Sequence, residues 1–190
     1  MVEVLFAAVI GCYVIMAVWS VCIMTWRWWA EITPRLELEK AARLTLLSVI
    51  EGKIDSSVGS YTAGPTTYTR RNGIAWAIAY PTISSDAKTI SYRLVPDSSN
   101  IRQFYYGTYG GDGYIFYKNN SGTVTRIDST KGVTNIQFSK LPDPSNPSGP
   151  PYDNIIQVVV TAERDILGTR SSPYHVKVQY TDTVFLRNAL

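Results

Sequence analysis

The feature that most constrains this chain is an uninterrupted apolar run close to its N-terminus. From Val4 to Trp26 there is no charged residue, and the segment reads VLFAAVIGCYVIMAVWSVCIMTW. At a rise of about 1.5 Å per residue, the run makes roughly 35 Å of helix, which is long enough to span a bilayer. We therefore predict a membrane-spanning helix. The alternative is the buried core helix of a soluble domain, which rarely reaches this length.

The end of the apolar run argues against its removal as a secretory signal. A cleaved signal has a shorter apolar core behind basic residues and ends in small residues. Here the run continues into Trp26, Arg27, Trp28 and Trp29. Tryptophan rings suit the membrane–water interface, and the long side chain of Arg27 can reach the headgroups. The sequence therefore predicts that the membrane helix is not cleaved off.

A single acidic residue, Glu3, stands at the very start of the apolar run. An unpaired carboxylate is costly in hydrocarbon, so its presence needs an explanation. In one interpretation Glu3 lies in the headgroup layer, where a negative charge at a helix N-terminus interacts favourably with the helix dipole. In the other, it pairs with a cation such as the amine of a neighbouring subunit. Residue chemistry alone leaves both open.

A second helical segment, Arg35–Ile54, follows the apolar run and is rich in helix-forming residues. Pro34 is expected at a kink or at a restart of the helix. At about 100° per residue the apolar side chains form two stripes. One stripe contains Leu36, Leu47, Ile50 and Ile54, and the nearly opposite one contains Leu38, Ala42 and Val49. Two stripes predict that one side covers a sheet and the other meets further helices; burial of both sides within one domain is the alternative.

After Gly52 the sequence becomes rich in Val, Ile, Thr and Tyr between turn-forming residues, which indicates β-strands. Asn119–Gly122 and Gly110–Gly113 are expected to form hairpin turns, and the proline-rich Pro142–Pro151 a surface loop. The predicted strands are Ile74–Ala79, Thr89–Leu94, Ile101–Tyr106, Tyr114–Lys118, Thr123–Asp128, Val133–Lys140, Ile155–Ala162 and Tyr174–Leu186.

These elements predict an α+β fold in which the C-terminal half of a long N-terminal helix packs on an antiparallel sheet. The predicted helical part comprises residues 1–54, with 1–30 apolar and 31–54 amphipathic. Residues 55–190 are predicted to form a β-rich globular head.

The charge and the cysteine positions argue against nucleic-acid binding and against a disulfide within the apolar helix. The formal net charge is +3, and Lys and Arg never run beyond the pair Arg70–Arg71, so no nucleic acid is predicted as a direct partner. Cys12 and Cys22 both fall in the apolar run, about 15 Å apart on one helix and thus beyond disulfide reach.

Enzymatic activity is not predicted. The single histidine, His175, lies in an alternating strand, and the chain has no nucleophile elbow, phosphate-binding loop or H-E-x-x-H motif. We accordingly expect no catalytic residue, no cofactor and no metal. A calcium site involving Asp97, Asn100 and Asp112 is an alternative that lacks a loop signature.

The order of these features resembles a known superfamily. The opening Met1-Val2-Glu3-Val4-Leu5, an apolar helix, an amphipathic extension and a β-domain are similar to type IV pilins and to the pseudopilins of type II secretion. In that superfamily a glutamate sits just past the prepilin peptidase cleavage site. The C-terminal part resembles J-type minor pseudopilins and related minor pilins. The segments that carry this second likeness are Tyr92–Leu94, Gly132–Phe138, Ile155–Thr161 and Val184–Asn188.

The resemblance implies a pilin fold and a role as the structural subunit of an extracellular filament, polymerising through the apolar helix. Residues 1–30 would form the membrane or filament core, Glu3 would dock subunits, and Met1 would lie at the processed N-terminus. The helix residues expected in the core include Val4, Leu5, Val9, Gly11, Val14, Val18 and Trp26. Two alternatives are a minor tip or priming pseudopilin of a type II secretion or DNA-uptake system, and a membrane-anchored adhesin.

The same resemblance implies partners and a location. The expected partners are other copies of the chain, prepilin peptidase and the pilus or secretion assembly machinery. Before assembly the chain would reside in the inner membrane with its N-terminus inside and its C-terminal domain outside. After assembly it would belong to an extracellular or periplasmic filament.

Two positions in the N-terminal segment carry further expectations. Family members have two more residues before the glutamate, commonly beginning with a methylated Phe, which implies additional residues before Met1 or different processing. Gly11 is expected to weaken the helix locally, because glycine costs about 1 kcal/mol relative to alanine in a helix interior. Pilin filaments often have a non-helical stretch in this half of the anchor.

Overall fold

The computed structural model describes residues 2–53, 60–63, 66–69, 71–78, 81–94, 101–142, 151–166 and 174–186. In these ranges one long N-terminal helix precedes antiparallel sheets, so the predicted α+β class is confirmed. Of the proline-rich segment, residues 143–150 lie outside the described residues, as does Met1.

The helix α1 spans Val2–Ile50 without interruption. It passes through Gly11 and through Pro34, where a kink or restart was expected. Gly52 caps the end of the helix: its backbone has φ +68°, and its N–H donates to the Leu47 carbonyl at 3.3 Å. A Cβ at Gly52 would lie 2.2 Å from the Gly73 nitrogen, so only glycine fits this helix end.

The C-terminal half of α1 has one buried and one exposed apolar side. The buried side chains are Leu38, Ala42, Thr45, Leu46 and Val49. On the other side Leu36 and Leu47 are 57% and 59% exposed. The stripe of Leu38, Ala42 and Val49 therefore packs in the chain's own core, while the opposite stripe faces outward at these two leucines. Ile54 of the outward stripe lies outside the described residues.

The β-structure accounts for most of the remaining described chain. Its strands in the described ranges are β1 (Ser60–Ala63), β2 (Thr66–Thr69), β3 (Thr82–Ile83), β4 (Thr89–Arg93), β5 (Ile101–Tyr109), β6 (Asp112–Lys118), β7 (Val124–Ile127), β8 (Val133–Lys140), β9 (Ile155–Ile166) and β10 (Tyr174–Phe185). The order β3-β4-β5-β6-β7 forms a five-stranded sheet, β10-β9-β8 a three-stranded sheet, and β1 pairs with β2.

The turns of the five-stranded sheet follow from their residues. Gly110 and Gly111, both with positive φ, join β5 to β6. Between β6 and β7, Asn119 Oδ1 accepts a hydrogen bond from the Thr123 N–H at 2.8 Å, and Gly122 has φ +83°. Both hairpins predicted from the sequence are therefore present, because these residues tolerate the left-handed backbone that tight turns require.

Most predicted strands are confirmed, and one is wrong. Where a strand was expected over Ile74–Ala79, the structure has a 3₁₀ turn at Ile74–Trp76, closed by the Ala77 N–H donating to the Ile74 carbonyl at 2.9 Å. The preceding Gly73 packs directly on the end of α1, since a Cβ there would lie 2.2 Å from the Glu51 carbonyl carbon. This tertiary contact, rather than the local apolar pattern, sets the backbone. The short strands β1, β2 and β3 were not predicted.

The chain divides into two compact units. One contains Leu38–Arg164 and Lys177–Leu190, and the other contains Met1–Glu37 and Asp165–Val176. In the first unit the buried side of α1 joins a core of sheet residues. Those from the two larger sheets are Ile90, Tyr92, Phe104, Tyr114, Ile115, Tyr117, Ile127, Val133, Ile136, Phe138, Ile156, Val158, Val160, Ala162 and Val184.

The core of this unit also holds an arginine. Arg102 on β5 is completely buried, and its Nε donates a hydrogen bond to the Tyr117 hydroxyl at 2.9 Å. Phe104 lies between two tyrosine rings: it stacks on Tyr92 at a centroid distance of 5.8 Å and meets Tyr117 in a tilted arrangement at 5.2 Å. Burying a guanidinium is costly unless its donors are satisfied, which explains why a polar aromatic faces it here.

Candidate functional site

The N-terminal part of α1 exposes apolar side chains on all sides. Every residue from Val2 to Trp29 is exposed, and its large apolar side chains range from 40% exposed at Ile23 to 77% at Trp26. A helix that is apolar all round is normally covered by protein or lipid. In the described part of the chain nothing covers this segment.

This helix has the length and composition needed to cross a membrane. Among the described residues it is the one helix of this kind, and none of its most apolar stretch is buried. Two of its hydroxyl groups bond to the helix backbone: Ser20 Oγ donates to the Met16 carbonyl, and Thr25 Oγ1 to the Val21 carbonyl, each at 2.8 Å. Such bonds lower the cost of placing a hydroxyl in apolar surroundings.

The residues singled out from the sequence are spread along this helix rather than gathered in a pocket. Glu3 lies in the first turn, where its charge is favourable to the helix dipole. At about 100° per residue, Val4, Gly11 and Val18 share one face, whereas Leu5 and Val9 lie on other sides. The exposed fractions of the predicted core residues are 73% for Val4, 65% for Leu5, 52% for Val9, 57% for Val14, 59% for Val18 and 77% for Trp26.

Gly11 leaves an open notch on this surface. A Cβ built there would meet nothing within 4 Å, so the absence of a side chain is not required by packing inside the chain. Small residues in apolar helices let a second backbone approach closely. The arrangement is therefore a packing surface, suited to contacts with lipid or with other helices.

Leu47, in the helix segment that belongs to the unit Leu38–Arg164, is 59% exposed. One turn before it Arg43 is held in place: its Nε donates to the Tyr180 hydroxyl at 3.1 Å, and its guanidinium carbon lies 5.2 Å from the Tyr180 ring centroid. The hydrogen bond to Tyr180 raises the pKa of Arg43.

The His, Cys, Asp and Glu side chains are the remaining candidates for chemistry. Within the described ranges no group of three or more His, Cys, Asp and Glu side chains is placed to hold a metal. His175 Nδ1 lies 2.9 Å from Asp165 Oδ1 on the surface, and Asp112 pairs with Lys131 at 3.1 Å. The other two residues of the calcium alternative, Asp97 and Asn100, lie outside the described residues.

The structure also brings together a cluster that the sequence analysis did not single out. On one face of the five-stranded sheet Tyr105 pairs with Phe116, and Phe116 pairs with Arg126. The alternation of β5 and β6 signals which residues share a face. The register between strands, which makes these three side chains neighbours, is not readable from the alternation.

Comparison with known proteins adds no relative to this description. No protein-family model, no curated protein and no solved structure matches the chain. The function is therefore inferred from the residues and from the geometry of α1 and the sheets.

Proposed function

We propose that this chain is a structural subunit of a type IV pilus-like filament, has a pilin fold and polymerises through its apolar N-terminal helix. The observation that carries the proposal is an apolar helix segment, exposed from Val2 to Trp29, that runs without a break into a helix half anchored in a β-rich unit. Lipid covers such a segment before assembly. Neighbouring copies of it cover it in a filament.

Burial of this surface supplies the driving force for association. Apolar area removed from water contributes roughly 25 cal/mol per Å². Moving the same apolar surface from lipid into a contact between helices gains less free energy. Within the membrane, close packing and satisfied polar groups therefore contribute more to association. A helix that moves from lipid into a filament needs close packing and satisfied hydroxyl groups. Gly11 allows the first, and the internal hydrogen bonds of Ser20 and Thr25 provide the second.

In this proposal Glu3 selects the docking position. A carboxylate enclosed among apolar helices is unfavourable unless it pairs, and the N-terminal amine of a neighbouring subunit is a partner of opposite charge. The pair forms only at one axial offset between subunits. Glu3 therefore contributes register, while the apolar residues contribute affinity.

The outward stripe of α1 supports assembly over a simple membrane anchor. Leu36 and Leu47 lie beyond the apolar run, and both are more than half exposed. Leu36 and Leu47 lie on one face of the helix, and neighbouring helices in a filament would cover them. The remaining partners proposed are the inner membrane, prepilin peptidase and an assembly machinery.

The second candidate is a minor tip or priming subunit, which the likeness of the C-terminal segments to J-type pseudopilins favours. The number of copies per filament distinguishes a minor subunit from a major one. Recovery in filaments rather than in the membrane distinguishes either subunit from an anchored adhesin. The test is electron microscopy of sheared surface material, with the filament protein identified by mass spectrometry.

The expected result is filaments composed mainly of this chain. Trace amounts in filaments built from another protein would assign it to the tip. Its recovery only from the membrane fraction, as a monomer, would contradict filament assembly.

A further inference from the structure

The face of the five-stranded sheet that carries Tyr105 presents an ordered row of aromatic and charged side chains. Strand alternation turns Phe104, Ile115 and Tyr117 into the core. It turns Tyr105 and Phe116 to the opposite face, where their rings stack at 5.5 Å with planes 16° apart. These two residues are directly paired in the strand register. The rings are therefore held by the sheet and not by a loop.

Arg126 extends this row and is fixed on three sides. Its guanidinium carbon lies 4.4 Å from the Tyr109 ring centroid and 4.8 Å from that of Tyr114. Its Nε donates to Asp128 Oδ1 at 2.6 Å. Contact with two rings and a carboxylate leaves the guanidinium little freedom, so it is preorganised as a planar donor.

A shallow groove of about 290 Å³ runs between these side chains, lined by Tyr109, Phe116, Val124, Arg126 and Asp128. Tyr109 and Val124 are 61% and 47% exposed, so part of the lining is accessible. The Phe116 ring reaches over the backbone of Gly107, where a Cβ would lie 2.8 Å from its Cε2 atom. Glycine at this position therefore allows the ring to take its place in the groove.

Two cations at the groove are each paired with a carboxylate. Arg126 pairs with Asp128, and the nearby Lys131 pairs with Asp112 at 3.1 Å, while Lys118, the strand partner of Val124, adds a third cation beside the groove. A phosphate or a sulfated polymer would have to compete with the carboxylates for the two paired cations. The groove therefore favours a neutral ligand that has both donors and acceptors and also an apolar face.

We propose that this groove binds a neutral pyranose saccharide. The C–H face of a sugar ring can pack on Tyr109 or Phe116, since the face of an aromatic ring is electron-rich. The sugar hydroxyls can donate to Asp128 and accept from Arg126. The groove volume lies at the lower limit of the range of about 300–1,000 Å³ for small-molecule pockets, which suits one small ring system better than a long peptide.

The test uses the full-length chain in micelles of a detergent without a sugar headgroup, such as dodecylphosphocholine. Saturation-transfer difference NMR is recorded with the methyl glycosides of glucose, galactose, mannose and N-acetylglucosamine, and with heparin and a polyproline peptide as comparison ligands. We expect transfer to the ring C–H protons of at least one probe. Tyr109→Ala should weaken its affinity by about two- to tenfold, the range expected for the loss of one aromatic contact. Tyr109→Phe, which keeps the ring, should retain binding.

The matched control is Phe185→Ala, which removes a ring of similar exposure (65%) from β10 in the other sheet. Circular dichroism checks that each variant is folded. Three outcomes would overturn the proposal: no transfer to any of the four glycosides, equal effects of Tyr109→Ala and Phe185→Ala, or binding only of heparin or of a polyproline peptide. None of these measurements requires filament assembly, so the proposal stands apart from the filament proposal.

Discussion

At the scale of single residues, Glu3 has the most specific expected effect. Glu3→Ala should leave membrane insertion intact, because the apolar run supplies insertion on its own. It should impair filament assembly, because docking loses a charge pair made in a low-dielectric setting. Membrane fractionation measures insertion, and the yield of sheared filaments measures assembly.

The control for this prediction is Glu31→Ala, which removes an exposed carboxylate from the same helix beyond the apolar run. We expect normal filaments from it. A normal filament yield from Glu3→Ala itself would contradict a docking role, and Glu3 would then be a charge in the headgroup layer.

Two leucines on opposite sides of α1 give a matched pair for stability. Leu38 is 4% exposed and lies close to Gly132, whereas Leu36 is 57% exposed. Leu38→Ala should lower the free energy of unfolding by about 2–4 kcal/mol through lost burial and a residual cavity. Leu36→Ala should change it by less than about 0.5 kcal/mol. Chemical denaturation of a fragment lacking residues 1–30 measures both, and equal losses would contradict the assigned orientation of α1.

At the scale of elements, the turn between β3 and β4 is tied to a carboxylate. Asp86 accepts hydrogen bonds from Ser84 Oγ and, at 3.1 Å, from the Lys88 N–H. The Ser84 bond is the larger cause of a pKa for Asp86 below its usual range. The same turn holds Ala87 at φ +59°, and the Ala87 carbonyl accepts from the Phe138 N–H of β8 at 2.8 Å. Asp86 therefore supports a turn that connects two sheets.

The sign of the pH effect follows from this lowered pKa. A carboxylate with a lower pKa in the folded state stabilises the fold above its unfolded pKa, and the contribution is lost as pH falls through the folded value. We expect the Asp86→Ala fragment to be less stable than the wild-type fragment at pH 6, with the difference shrinking towards pH 2.5. Urea denaturation at the two pH values measures it. A difference that is independent of pH would exclude this role.

The helix α1 is expected to change conformation around Gly11 when the chain assembles. In the single chain the helix is continuous through this position. In the filament we expect the helical ladder to open there, because glycine weakens the interior of a helix and neighbouring subunits can satisfy the freed backbone groups. A filament structure with an unbroken ladder from Val4 to Trp29 would contradict the prediction.

At the scale of the whole molecule, the C-terminal part of α1 is part of the globular core. Removing residues 1–30 keeps the buried Leu38, Ala42 and Val49, and should give a soluble, folded protein that does not polymerise. Removing residues 1–52 exposes the sheet surface that these side chains cover, and should give an unfolded or aggregated product. Size-exclusion chromatography and circular dichroism distinguish the two fragments. A folded, monomeric product from the longer deletion would show that the sheets do not need the helix.

The sequence alone determined the elements whose signal is local. The apolar run from Val4 to Trp26 predicted a long apolar helix, and the alternation of strands such as Val133–Lys140 predicted the β-structure. These features depend on the spacing of residues along a short segment, which the helix and strand periods fix directly. The glycine and asparagine turns were predictable for the same reason.

Only the tertiary structure decided what depends on partners distant in the chain. It showed which of two apolar stripes on α1 is buried, turned Ile74–Trp76 into a 3₁₀ turn beneath the helix end, and placed Arg102 against Tyr117 in the core. It also set the register that aligns Tyr105, Phe116 and Arg126. A shift of one residue in pairing would send these side chains to the other face of the sheet. That choice rests on the packing of the whole core, which no short window of sequence contains.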